Sequence, residues 1–235
     1  MQLFYNKDIS NETKEITFDK VESRHIVRVL RKKEGDVLKI TNGKGFLFDA
    51  AISFANDKRC SANIIHVEKK PKPWQYYLHI AIAPTKNNDR IEWFLEKATE
   101  IGIDEITPII CQNSERRVVK LERFEKIIQS AMKQSLKFTL PKLNNPIKFN
   151  DFIKKDFDGQ ICIAHCEDHQ KNHLKSVIQP LEKTTVLIGP EGDFSVDEIK
   201  KALDKKFIPI SLGESRLRTE TAGLVAVNLV SFVNE

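Results

Sequence analysis

The spacing of apolar positions changes along the chain, and the changes mark its elements. Residues 36–68 alternate in short runs, 37–41, 46–55 and 60–67, separated by Asn42-Gly43-Lys44-Gly45 and by Asn56-Asp57-Lys58. Alternation interrupted by Asn, Gly and Asp is the mark of strands joined by tight turns, so this stretch predicts a small β-barrel or sheet. Ahead of it, residues 21–30 follow the helical period. Ile26, Val29 and Leu30 fall on one side, while Arg24, Arg28 and Arg31 recur at i, i+4 and i+7 on another, extended by Lys32 and Lys33. Pro71-Lys72-Pro73 stiffens the backbone and supplies no core, which places a boundary between a first domain, 1–72, and a second, 73–235.

Beyond that boundary, strand patterns at 77–83, 105–111, 160–165, 185–188 and 207–212 alternate with helical ones. Ile91, Phe94, Leu95 and Ala98 form an apolar stripe opened by Asp89 with Glu92 three residues on, and stopped by Gly102. Leu121, Phe124, Ile127, Ile128, Ala131 and Met132 form a second stripe. Such alternation predicts an α/β domain with a mostly parallel sheet covered on both faces. Ligands of such sheets sit beyond the carboxyl ends of the strands, so the loops after Ile188 and Leu212 are where chemistry is expected. Residues 222–233 are small or apolar on nearly every side of a helix, which predicts burial inside the protein or a subunit interface.

Charge sharpens this division. Residues 1–73 hold 15 Lys/Arg against 10 Asp/Glu, the whole of the net +5, whereas residues 74–235 hold 23 of each. A positive module beside a neutral one suits a first domain that holds a polyanion, because phosphate neutralisation is the general source of nucleic-acid affinity. Arg24, Arg28, Arg31 and Lys32 are its candidate RNA contacts; a solubilising charge bias and a solvated helix face are the competing readings. No apolar run approaches the roughly 18–20 residues of a spanning helix. The start, Met1-Gln2-Leu3-Phe4-Tyr5, lacks the pattern of a signal peptide, so a cytoplasmic protein with no membrane partner is expected. Cys60, Cys111, Cys162 and Cys166 form no CxxC pair and read as reduced, structural thiols.

Two segments carry the candidate chemistry. Ile188-Gly189-Pro190-Glu191-Gly192-Asp193-Phe194-Ser195 leaves a strand, turns on two glycines and a proline, and enters a helix through Ser195, with Glu198 placed to complete a capping box. The spacing is neither a dinucleotide fingerprint nor a Walker loop, which disfavours a phosphate cradle. Ser211-Leu212-Gly213-Glu214-Ser215-Arg216-Leu217-Arg218-Thr219-Glu220 likewise follows a strand, and it brings Arg216, Arg218 and Glu220 to the edge of the core, where charge needs a partner or a ligand. His165, His169 and His173 recur every four residues, but Cys166 occupies the glutamate place of a zinc-protease helix, and no metal is expected.

Together with Arg24-His25-Ile26-Val27-Arg28-Val29-Leu30-Arg31 and Lys97-Ala98-Thr99-Glu100-Ile101-Gly102, these segments resemble the RsmE family, the 16S ribosomal RNA uridine N3-methyltransferases of the SPOUT superfamily. The resemblance spans nearly the whole chain. Asp193 departs from it, standing where the family usually has a second glycine, as does Lys133-Gln134-Ser135-Leu136-Lys137 in place of a more usual Glu-Gln-Ser/Cys-x-Arg. The resemblance implies a PUA-like barrel, then a SPOUT α/β domain with a C-terminal trefoil knot, two subunits packed across the knot, and the small ribosomal subunit as partner. It also implies S-adenosylmethionine held by backbone groups of Ile188, Gly189, Pro190, Glu191 and Gly192, and of Ser211, Leu212, Gly213, Leu217, Arg218 and Thr219, with His165 nearby.

Uracil N3 carries a proton and becomes a nucleophile only when that proton leaves. A cation near the carbonyls and a carboxylate to take the proton are therefore required, for which Arg218 and Glu220 or Glu191 are the candidates. Arg90, Arg116 and Arg117 are candidate contacts to the RNA backbone. A SPOUT enzyme methylating a ribose 2′-hydroxyl, and a non-catalytic RNA-binding or assembly protein, are the alternatives.

Overall fold

The computed structural model describes residues 1–167 and 170–235. They divide into two compact units, one formed by Met1–Pro73 with Met132–Leu140 and the other by Trp74–Ala131 with Pro141–Glu235.

The first unit carries β1 (Leu3–Tyr5), β2 (Glu15–Thr17), α1 (Lys20–Arg24), β3 (Val37–Thr41), β4 (Phe46–Phe54) and β5 (Ser61–Lys69). Its sheet runs in the order β1-β3-β4-β5-β2, with β1 parallel to β3 and the other pairs antiparallel. The two outer strands, three residues each, are too short to show the alternation on which sequence reading depends. Phe4, Ile26, Ile40, Phe48, Ala50 and Cys60 fill the core. Asp19 caps α1 through the Glu22 amide, and the helix widens at once into a π-helical turn, His25–Val29. That widening corrects one expectation: the register slips, Ile26 stays buried, and Val29 emerges 66% exposed. The unit also takes in residues 132–140, the end of a helix that otherwise belongs to the second unit and the chain that follows it. Gly45 donates its N–H to Phe138 O at 2.8 Å, Leu140 donates to Gly43 O at 2.8 Å, and the Lys133 ammonium lies 3.7 Å from Glu22. Lys133, at a position where the resembling family usually has an acid, thus finds an acid within its own unit.

The second unit is built from β6 (Tyr77–Ile82), α2 (Asn88–Ile101), β7 (Glu105–Ile110), α3 (Leu121–Gln134), β8 (Lys142–Leu143), β9 (Ile147–Lys148), α4 (Phe149–Phe152), β10 (Gln160–Ala164), β11 (Asn172–His173), α5 (Leu174–Val177), β12 (Lys183–Ile188), α6 (Val196–Asp204), β13 (Ile208–Ser211) and α7 (Thr219–Val233). The sheet runs β11-β13-β10-β12-β6-β7-β8, with β9 also pairing β7, and every pairing is parallel. Apolar layers cover both faces. Ala81, Ile163 and Leu187 meet Phe149 and Phe152 of α4 and Ile199 and Ala202 of α6 on one side. On the other, α2 and α7 pack together over β6. Gly223 permits that approach, since a Cβ there would stand 2.8 Å from the Phe94 ring and 2.9 Å from Ile82 Cδ1. α2 starts earlier than expected, because Asn87 rather than Asp89 caps it, accepting from the Asp89 amide; Glu92 instead pairs with Arg123.

At the amino-terminal edge of this sheet lies a partly buried polar network. Tyr77 donates its hydroxyl to Glu105; Asn144 donates to Glu105 at 2.5 Å and to Thr107 at 2.7 Å, and Thr107 Oγ1 lies 2.7 Å from His79 Nε2. Burial lowers the His79 pKa to about 4. Burial pushes the Glu105 carboxyl up, but the hydrogen bonds from Asn144 and Tyr77 prevail and hold it at about 2. Burial likewise raises the Cys162 thiol to about 12, in keeping with a structural role.

Candidate active site

The registers set the site. Ala164 of β10 pairs with Ile188 of β12, Ile188 pairs with Ile82 of β6, and Ala164 pairs on its other side with Ile210 of β13. Four strands therefore end in one row, and the loops that leave them converge. After Ile188 the chain turns through buried Gly189 and Pro190. A Cβ at Gly189 would lie 3.1 Å from the Phe194 ring and 3.2 Å from Asp193 Oδ1, so this turn is packed from beneath. Asp193 adopts φ +61, the left-handed conformation that glycine enters freely. Ser195 and Glu198 then close the expected capping box and launch α6.

The second segment delivers the amino end of α7. Thr219 donates its buried hydroxyl to Gly189 O at 3.0 Å, tying α7 to the first loop. Arg218 occupies the N-cap without using its side chain there and is exposed. Glu220 is 6% exposed; Oε1 lies 3.9 Å from Arg90 Nε, and Oε2 is buried with no hydrogen-bond partner among the described residues. Glu191 behaves similarly, with Oε1 accepting from the Lys86 amide at 2.9 Å and Oε2 buried and unpartnered among the described residues. Buried carboxylate oxygens left without a donor are costly unless something else reaches them.

Between these loops lies a cavity of about 380 Å³. Its wall contains the expected Ile188, Gly189, Pro190, Glu191, Leu217, Arg218 and Thr219. His165, Gly192, Ser211, Leu212 and Gly213 do not line it, nor does the candidate proton acceptor Glu220. Ala164 and Cys166 take the wall on either side of His165, as the alternation of extended backbone requires, and His165 itself is buried. Gly213 serves the turn through φ +131. Arg90, a candidate contact to the RNA backbone, lines the cavity. Arg116 donates to the carbonyls of Thr85 and Lys86, the latter at 2.6 Å, and Arg117 to Gln112 O at 3.0 Å, so both brace neighbouring loops.

Sequence reading gave no site role to Ala164, Cys166, Asp193, Ala222 or Asn113. The last two lack any local signal. In the first unit Arg24, Arg28 and Arg31 are exposed and Lys32 half-buried, but Arg28 forks onto Asp57, with Nε and Nη2 both 2.9 Å from one oxygen. No group of three metal-ligating side chains occurs among the described residues; Asp168 and His169 of the histidine repeat lie outside them. Cys166 is exposed and the other three cysteines are buried. No helix among the described residues is long and apolar enough to cross a membrane.

Comparison with known proteins bears on this cavity. A family model described as an RNA methyltransferase domain matches residues 71–231, and one described as an RNA methyltransferase PUA domain matches residues 18–65. The ribosomal RNA small subunit methyltransferase E of Buchnera aphidicola is 31% identical over 215 residues, covering 88% of this chain and 83% of the relative. That of Bacillus subtilis is 27% identical over 230 residues, covering 91% and 88%. Among solved structures, a probable rRNA-methyltransferase from Porphyromonas gingivalis superimposes with a TM-score of 0.92 at 42% identity over 100% of this chain and 98% of that one. The ribosomal RNA small subunit methyltransferase E from Neisseria gonorrhoeae, solved bound to S-adenosyl methionine, gives 0.85 at 25% identity over 100% and 98%.

Proposed function

Because the chain belongs to the ribosomal RNA small subunit methyltransferase E family, with an RNA methyltransferase domain behind a PUA domain, we propose that it methylates N3 of a uridine in 16S ribosomal RNA using S-adenosylmethionine. The observation that carries this reading is the cavity at the carboxyl edge of the sheet, on which Gly189 and Arg218 converge through the Thr219 bond. Its volume lies in the range of small-molecule sites, roughly 300–1,000 Å³.

The cavity fits the cofactor chemically. S-adenosylmethionine brings a positive sulfonium with an activated methyl group, together with an ammonium and a carboxylate. Glu191 and Asp193 put negative charge on the wall for its cationic parts, and Arg216 or Arg90 suits its carboxylate. The exposed Arg218 guanidinium is placed to favour the deprotonated uracil by lying against a carbonyl. Glu191, on the cavity wall with Oε2 unpartnered among the described residues, is the proton acceptor of this reading, and Glu220, which does not line the cavity, holds Arg90 at 3.9 Å. A base held this close to a closed wall is taken out of its stack.

In this reading the first unit grips RNA through Arg24, Arg31 and Lys32, the catalytic chemistry is confined to the second, and α7 belongs to a trefoil knot at a homodimer interface. The outer side of α7 supports the dimer, since Leu224, Val225 and Leu229 are only half-buried and Phe232 is 60% exposed. The test uses labelled S-adenosylmethionine and small subunits from a strain lacking the modification. Label on uridine N3 is the expected product; label on a ribose, or cofactor binding without transfer, would replace this reading by one of its alternatives.

A further inference from the structure

Asp193 is the residue at which this chain leaves the glycine pattern, and the structure gives that departure a use. Its carboxylate spans two loops. Oδ2 accepts the Cys166 amide at 2.7 Å, and Oδ1 accepts the Phe194 amide at 2.8 Å. Asn113, leaving β7, adds a third loop by donating Nδ2 to Gly192 O and Asp193 O, each at 3.1 Å. The backbone at φ +61 is what turns the side chain back toward β10, and Asp193 and Cys166 both line the cavity. A glycine would make the same turn without the bond to Cys166, leaving the loop after β10 tied by the Lys171 ammonium, which donates to His165 O at 2.9 Å and Glu167 O at 2.6 Å, but not to the Ile188–Ser195 turn.

We propose that Asp193 is a positioning residue for the cofactor: its carboxylate fastens the loop that begins at Cys166 to the Ile188–Ser195 turn, so that this wall of the cavity is formed before S-adenosylmethionine arrives. The inference rests on the cofactor reading above. A preformed wall spares the ligand the cost of ordering the loop, so the effect belongs to binding more than to the chemical step. Partial desolvation raises the thiol of the otherwise exposed Cys166, and the Asp193 carboxylate raises it further, which makes that thiol a reporter of the contact.

Two variants separate conformation from clamp. Asp193→Gly keeps the left-handed turn and removes both acceptors; Asp193→Asn tolerates the turn and retains one side-chain oxygen. Calorimetry with S-adenosylmethionine on the wild-type protein comes first, and failure to bind there overturns the cofactor reading itself. Given wild-type binding, Asp193→Gly is expected to raise Kd and KM for the cofactor by about tenfold, the scale of one lost charge-assisted hydrogen bond, with kcat changed less than about twofold. Asp193→Asn is expected to recover part of the loss. Amide exchange at Cys166 and alkylation of its thiol at fixed pH should both quicken in Asp193→Gly without cofactor. Wild-type Kd in both variants, or a fall confined to kcat, overturns the proposal. So does unchanged exchange at Cys166.

Discussion

Gly223→Ala tests whether the close packing of α7 governs the cavity. The added methyl would lie 2.8 Å from Phe94 Cε2 and 2.9 Å from Ile82 Cδ1, and these two side chains are 0% and 1% exposed, with no free space to swing into. Overpacking of this kind costs about 1–3 kcal/mol, against which alanine in a helix gains about 1 kcal/mol over glycine. The net expectation is a loss of up to about 2 kcal/mol. α7 relieves the clash by moving off β6, and its first turn carries Thr219, whose hydroxyl holds Gly189 O, so the cavity should distort with it. Both tryptophans, Trp74 and Trp93, lie in the second unit, so urea unfolding followed by their fluorescence reports that unit alone. Calorimetry gives the cofactor Kd alongside. A Gly223→Ala protein stabilised by the full helix-propensity gain, with unchanged binding, would refute the reasoning.

Thr219→Val removes the donor to Gly189 O and leaves a buried carbonyl unsatisfied; a stability loss of about 1–3 kcal/mol and weaker cofactor binding are expected, and retention of both in urea and calorimetric measurements would detach the α7 tie from the site. His79, with its pKa lowered to about 4, resists protonation in the folded protein, so its contribution is complete above the unfolded value of 6.5 and is lost as pH falls from there to about 4. That loss should reach about 2.5 kcal/mol by pH 4.5, where Glu105, held at about 2 against an unfolded value of 4.5, starts to add its own; an equal pH slope in His79→Leu would remove this account. In the first unit, Arg24→Ala and Arg31→Ala should each shallow the log–log salt dependence of RNA binding by about 1, whereas Arg28→Ala, whose guanidinium is shared with Asp57, should change it less. Equal slopes for all three would mean that none contacts phosphate.

The strands that run buried through the second unit were legible because their apolar runs are uninterrupted, and the capping box at Ser195 was legible because its chemistry is local. Other features depend on pairing or packing that no window of sequence contains. β1 and β2 exist by joining longer neighbours. The exposure of Val29 follows from a π-helical turn, which leaves no trace in a 3.6-residue pattern. Residues 132–140 join the first unit through backbone bonds to the Asn42–Gly45 turn, invisible to any search for a single boundary. At the site, the two loops were recognised as one feature by their shared chemistry, yet which residues face inward depended on strand phase, so that of the loop at His165 it is Cys166 that lines the cavity.

The position of β12 between β6 and β10 bears on how the protein is made. Both of its neighbours precede it in the chain, so as residues emerge from the ribosome the sheet waits with a gap at its middle. Pairings of such long sequence separation are slow to close. A nascent chain that stops short of residue 183 already has its basic first 73 residues but neither Gly189 nor Glu220. During synthesis, affinity for RNA can therefore precede the ability to modify it.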